Sequence, residues 1–159
     1  MIIYRCHQGP VYRFALRLSG SPATAEDVTQ ETFLALLRGT GFDAGRGALR
    51  SYLYGVARHQ VSKRLERAEV PLAEERAAPA PGEDVAAVRQ ALAALPLPFR
   101  EAVVLCELEG LSYEEAAAVC EVPVGTIRSR LSRARAQLLA ALGGAPAATP
   151  EPPAPERRP

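Results

Sequence analysis

Apolar residues return every three or four positions through most of this chain, and strict alternation is almost absent. That period belongs to amphipathic helices and leaves little room for strands. In the first part it predicts a helix over about 8–18, a break at Gly20, Ser21 and Pro22, and a second helix to about Arg38. A glycine-rich turn, GTGFDAGRG, leads into a long helix over about 48–67. Further helices are predicted over 85–95, 99–108, 112–120 and 123–142, with Pro96-Leu97-Pro98 separating the first two. Two stretches lack the period: residues 69–84 mix prolines, alanines and acids, and 143–159 hold six prolines. Neither buries enough apolar surface to offset its ordering entropy, so they read as a flexible linker and a disordered tail. The expected organisation is all-α: two small helical domains, 1–68 and 85–142, joined by the linker at 69–84.

The sharpest local signal is LSYEEAAAVCEVPVGTIRSRL, which has the layout of a helix-turn-helix. Ser112 and Glu115 form an S-x-x-E capping box, and Leu111 with Ala116 suits a hydrophobic staple. Pro123 fits the first turn of the next helix, where its missing N–H removes no bond. At 100° per residue, Ile127, Leu131, Ala134 and Leu138 fall on one stripe, which should be buried. Thr126, Arg128, Ser129, Ser132, Arg133 and Ala136 share the outward arc. Arginine can grip phosphate or the guanine edge, and Ser and Thr bond to either, so this face suits DNA. Gly125, near the helix start, is either a tolerated glycine or a point where backbone N–H groups approach a phosphate. The bland alternative for the arc is a solvated face, but that would normally mix signs for i,i+4 pairing. No acid occurs between Val122 and Leu138.

Charge sharpens the picture only when divided along the chain. The formal net charge is +1. Residues 1–68 nevertheless hold ten Lys/Arg against five Asp/Glu, and 69–84 hold one against five. Much of the basic surplus lies on the predicted helix 48–67, with Arg50, Arg58, Lys63, Arg64 and Arg67, and Arg46 just before it. Tyr52, Tyr54 and His59 are interleaved among them. Cations that track phosphates beside rings that stack on bases suit single-stranded nucleic acid; core packing is the competing role for the tyrosines. On the preceding helix, Val28, Thr32, Ala35 and Leu36 mark a packed face, with Phe33 at its edge. The opposite arc holds Asp27, Gln30, Glu31, Leu34 and Arg38. It is either plain solvated surface or a protein-binding patch, an apolar residue ringed by polar ones.

Several classes are disfavoured. The segment MIIYRCHQG has no signal-peptide core, and no apolar run approaches membrane-spanning length, so no membrane role is expected. Three widely spaced cysteines (Cys6, Cys106, Cys120) without a CxxC pair argue against disulfides or zinc and fit the cytoplasm. The two histidines (His7, His59) have no nucleophile or carboxylate constellation, and no P-loop is present, so neither enzyme activity nor a cofactor is expected.

Together these motifs resemble a known family. LSYEEAAAVCEVPVGTIRSRLSRARAQL resembles the promoter-reading helix-turn-helix of extracytoplasmic-function (ECF) sigma factors, small members of the sigma-70 family. VYRFALRLSGSPATAEDVTQETFLALLR and FDAGRGALRSYLYGVARHQVSKRLER resemble that family's first domain. The resemblance implies a bacterial initiation factor with core RNA polymerase and promoter DNA as partners, and an anti-sigma factor as a further candidate. It assigns Asp27, Gln30, Glu31 and Leu34 to core polymerase. It assigns Arg46, Arg50, Tyr52, Arg58, His59, Lys63 and Arg64 to the minus-10 element, and Thr126, Arg128, Ser129, Ser132 and Arg133 to the minus-35 element. Tyr52 stands where relatives commonly carry Trp, His59 where Asn is frequent, and Lys63 where Asp is usual. The chain also begins almost at its first helix, which points to missing turns or another start codon. The alternative is a stand-alone helix-turn-helix regulator that acts without polymerase.

Overall fold

The computed structural model describes residues 2–39, 41–67 and 83–143, and every regular element among them is helical. The expected linker and tail lie almost wholly outside the described residues.

The first unit is three helices: α1 (Ile2–Ser19), α2 (Pro22–Leu37) and α3 (Leu49–Arg67). Helix α1 buries Val11, Phe14, Ala15 and Leu18, the stripe its spacing dictates. It begins six residues earlier than the periodicity suggested. Its opening turns have no buried stripe to reveal them; they are held by contacts such as Tyr4 against Phe33, edge-on at 4.9 Å between centroids. Gly20, with φ +70°, ends α1, and Ser21 caps α2 by accepting from the Thr24 N–H. Helix α2 buries Ala25, Val28, Thr29, Thr32 and Phe33; Ala35 and Leu36 are only half-buried. The two buried threonine hydroxyls donate to the carbonyls of Ala25 and Val28, so neither is left unsatisfied. Helix α3 contributes Leu53, Tyr54, Ala57 and Val61, and the Tyr54 and Phe14 rings lie 4.8 Å apart. Of the two tyrosines weighed for a nucleic-acid role, Tyr54 is therefore core.

The second unit comprises α4 (Glu83–Ala94), α5 (Leu97–Val103), α6 (Tyr113–Cys120) and α7 (Val124–Ala141). Helix α5 runs on into a wider, π-helical segment, Val104–Leu108, where the Glu109 N–H reaches the Val104 carbonyl. The capping box is present in both directions: Ser112 Oγ accepts from Glu115 N–H, and Glu115 accepts from Ser112 N–H. Glu121, at φ 57°, turns the chain in the left-handed region between the two helices of the motif. Pro123 sits at the N-cap of α7. Ile127, Leu131 and Ala134 are buried, with Leu138 half-buried beside them.

The two units lie against each other, and their buried apolar residues form one continuous cluster from Val11 to Ala134. Helix α6 packs on α3, and the end of α1 meets α4, α5 and the π-helical segment. Arg100 closes part of this seam. Its guanidinium is buried and donates to the carbonyls of Leu92, Ala93 and Leu95 at the end of α4 and of Leu18 near the end of α1. A cation at two helix C-termini complements both dipoles.

Candidate nucleic-acid and polymerase interfaces

Four arginines line α7, but they do not share one role. Arg128 and Arg133 are exposed, as are Ser129 and Ser132, while Thr126 is half-buried at the edge of the same face. Arg135 instead pairs with Glu107, and the half-buried Arg130 acts electrostatically on buried Glu101. The helix is positive throughout because two of its cations face outward and two serve its own domain. At Gly125 an added Cβ would meet nothing within 4 Å, so the backbone there is open to approach.

On α2, Asp27 and Gln30 are exposed, Leu34 is 41% exposed, and Glu31 is half-buried. The expected arc is thus intact, with an apolar centre and a polar border.

The α3 residues divide into groups. Arg46, Tyr52, Arg58 and His59 line one open cavity of about 590 Å³, together with Phe42 and, from the turn after α6, Glu121. Phe42 was not anticipated; its ring lies 5.4 Å from that of Tyr52, so the glycine-rich turn supplies a second aromatic wall. Arg46 leans on Asp43 at 3.6 Å. Lys63 is exposed further along the helix, and Arg64 bonds to Gln60. Arg50 and Arg58 are engaged from the other unit: Arg50 donates to the Glu109 backbone carbonyl, and Arg58 Nε to Glu101 Oε2 at 3.0 Å.

Glu109 and Glu101 went unnoticed in the sequence. Glu109 carries two more contacts, accepting from Arg17 Nη1 at 2.7 Å on one oxygen and from the Tyr54 hydroxyl at 2.7 Å on the other. Burial, then the bond to Glu109, push the Tyr54 phenol up to about 12. A group whose folded pKa is raised contributes stability below its unfolded value and loses it as pH rises through the folded one. Stability should therefore fall between pH 10 and about 12 by up to roughly 2 kcal/mol more than in Tyr54→Phe. Chemical denaturation across that range measures the difference; parallel curves for the two proteins would refute it. Glu101 is buried, and that burial raises its pKa against the opposing charges of Arg58, Arg130 and Arg100.

The two units match known family models. The Sigma-70 region 2 model matches residues 3–69, and the Sigma-70, region 4 model matches residues 86–138. The ECF RNA polymerase sigma factor SigC of Mycobacterium tuberculosis is 41% identical over 144 residues, covering 84% of this chain and 77% of the relative. This chain belongs to the ECF sigma factors. Another relative, ECF sigma factor SigE of Mycolicibacterium smegmatis, is 38% identical over 151 residues; the match covers 86% of this chain but only 58% of that protein. Among solved structures, the sigma factor RpoE from Bartonella quintana, in complex with the anti-sigma factor NepR, superposes with a TM-score of 0.78 at 30% identity. That match covers 88% of this chain and 94% of RpoE. ECF sigma factors are regulatory proteins rather than enzymes, so the two histidines need no catalytic role. No described helix is long and apolar enough to cross a membrane. Among the described residues no group of His, Cys, Asp and Glu is arranged to hold a metal ion.

Proposed function

We propose that this sigma factor binds core RNA polymerase through the α2 arc and directs transcription initiation by contacting two promoter elements with separate units. The observation that carries the reading is the pairing of an Arg/Ser face that has no partner among the described residues, on a capped helix-turn-helix, with a basic, ring-lined cavity along α3. Arg128, Ser129, Ser132, Arg133 and Thr126 read the minus-35 duplex from the major groove. Arg46, Arg50, Tyr52, Arg58, His59, Lys63 and Arg64 hold the unpaired minus-10 strand, the cations on phosphates and the rings on bases. Opening the duplex is offset by the captured bases and by contacts to core, without nucleotide hydrolysis. Such a protein works in the cytoplasm. An anti-sigma factor is a further partner, as NepR is for the Bartonella RpoE.

Run-off transcription with purified core enzyme on a library of promoter fragments tests the reading directly: defined start sites are expected, and their absence would refute it. Asp27→Ala should weaken core binding by roughly threefold to tenfold, the loss of one rim-to-core polar contact at an interface, while leaving duplex binding unchanged. Equal loss of both would mean that α2 acts through the fold instead.

A further inference from the structure

Lysine is nearly absent from this chain. Of its nineteen Lys/Arg residues only Lys63 is a lysine, so the side chains carry a single ε-amine. Lys63 is exposed on α3 and has no bond or ion pair among the described residues, not even to Glu66, the one acid on that helix. Arg58 and Arg64, by contrast, are half-buried and bonded to Glu101 and Gln60. His59 and Arg67 stand four residues before and four after Lys63, and both are exposed and unbonded among the described residues. Residues four apart on a helix are neighbours, with Cβ atoms about 5–6 Å apart. One open stripe therefore presents an imidazole, a primary amine and a guanidinium in order.

Those three groups suit an acyl transfer. A lysine attacks only as the free amine, and imidazole is the side chain best suited to take up its proton near neutral pH. We propose that Lys63 is an acylation site for small acyl phosphates, with His59 as the base and Arg67 holding the phosphate. The amine nitrogen bonds to the acyl carbon, and the bond from that carbon to the phosphate oxygen breaks. Inorganic phosphate leaves with the electron pair, and the two protons shed by the ammonium pass through His59 to phosphate and water. A neutral amide replaces a cation. An arginine at 63 would grip a phosphate as well, but it stays protonated and offers no such nucleophile. The consequence for initiation rests on the assignment of α3 to the unpaired strand. Acylation removes one of the cations that hold that strand, and so ties promoter opening to the supply of activated acyl groups.

The test treats the full chain with acetyl phosphate, removes the reagent, and locates the acetyl group by peptide mass spectrometry. Acetylation at Lys63 is expected, and its absence would overturn the proposal. His59→Ala should slow the reaction at saturating reagent by at least about tenfold, a modest share of what a placed base supplies. Arg67→Ala should instead raise the half-saturating concentration by about threefold to fivefold, the loss of one exposed charge contact. Equal behaviour of the parent and both variants would mean an ordinary surface amine and sink the site. Acetylated chain mixed with core enzyme should bind a minus-10 single strand about fivefold more weakly at about 0.1 M salt, one phosphate contact fewer. Its binding to a minus-35 duplex should not change. Lys63→Arg keeps a cation without an acylable amine, so reagent treatment should leave that variant's own affinity where it was. Tyr52→Ala separates the two failures. If it loses strand binding while acetylation has no effect, the α3 assignment stands and the regulation is refuted. If neither change weakens binding, the assignment of α3 fails, and the regulation with it.

Discussion

Arg100→Ala is expected to destabilise the protein by about 3 kcal/mol, more than any other single truncation at the seam. Hydrogen bonds from a charged donor contribute roughly 1.5–3 kcal/mol each, and a buried acceptor left without a partner loses about 1–3 kcal/mol. Four carbonyls accept from this guanidinium, and of these Leu92's also accepts from the Leu95 N–H. Water entering the vacated space would recover part of the loss, which brings the total to the stated figure. Burial already lowers the Arg100 pKa, so the fold bears a desolvation penalty that only the complete set of acceptors offsets. In urea, with a slope of about 2 kcal/mol/M for a chain of this size, the midpoint should drop by about 1.5 M. Arg100→Lys should recover less than half, because one ammonium cannot span acceptors on two helices as a planar fork does. A drop below about 0.5 M for Arg100→Ala would mean that the four bonds are nearly neutral in net terms.

The second large effect concerns promoter reading. Arg128→Ala combined with Arg133→Ala should lower minus-35-dependent transcription about a hundredfold, since a good contact to a base edge discriminates by roughly 1–3 kcal/mol and two are lost. Both side chains are exposed and bonded to nothing else among the described residues, so the helical circular dichroism should not change. The single variants tell base contact from phosphate contact. Losing a base contact relaxes preference at one position, whereas losing a phosphate contact weakens all sequences alike and reduces the salt slope by about one. Arg135→Ala is the internal control, because that side chain is tied to Glu107. Promoter output unaffected by the double variant would overturn the reading face.

Helix positions were largely legible because burial and periodicity are the same fact seen twice: Ile127, Leu131 and Ala134 are buried where their spacing placed them. The capping box was legible for a related reason, since both partners lie within one turn. Glu101 and Glu109 escaped notice because their decisive partners are remote, and Arg100 because backbone carbonyls, three near and one remote, leave no mark in a sequence. Arg17 and Glu109 are 92 residues apart, and Arg58 and Glu101 are 43 apart. Read along the chain, Glu109 beside Gly110 is an ordinary loop acid. Only the packing of α1 and α3 against the π-helical segment gives it three donors. Phe42 was missed because it lies in a glycine-rich turn, where no periodicity marks which way a ring will face.

The widened turn at Val104–Leu108 carries one residue more than an α-helical path would need. Removing one of these five positions would let the remaining residues close into ordinary α-helical bonds and take the bulge away. Substitution at 47%-exposed Leu108 alters little of that geometry. Val104 and Leu105, by contrast, are wholly buried, so residue identity matters there. A deletion here would be felt first at Glu109, which follows the bulge and meets its three donors, and an exchange at Val104 or Leu105 would be felt in the core.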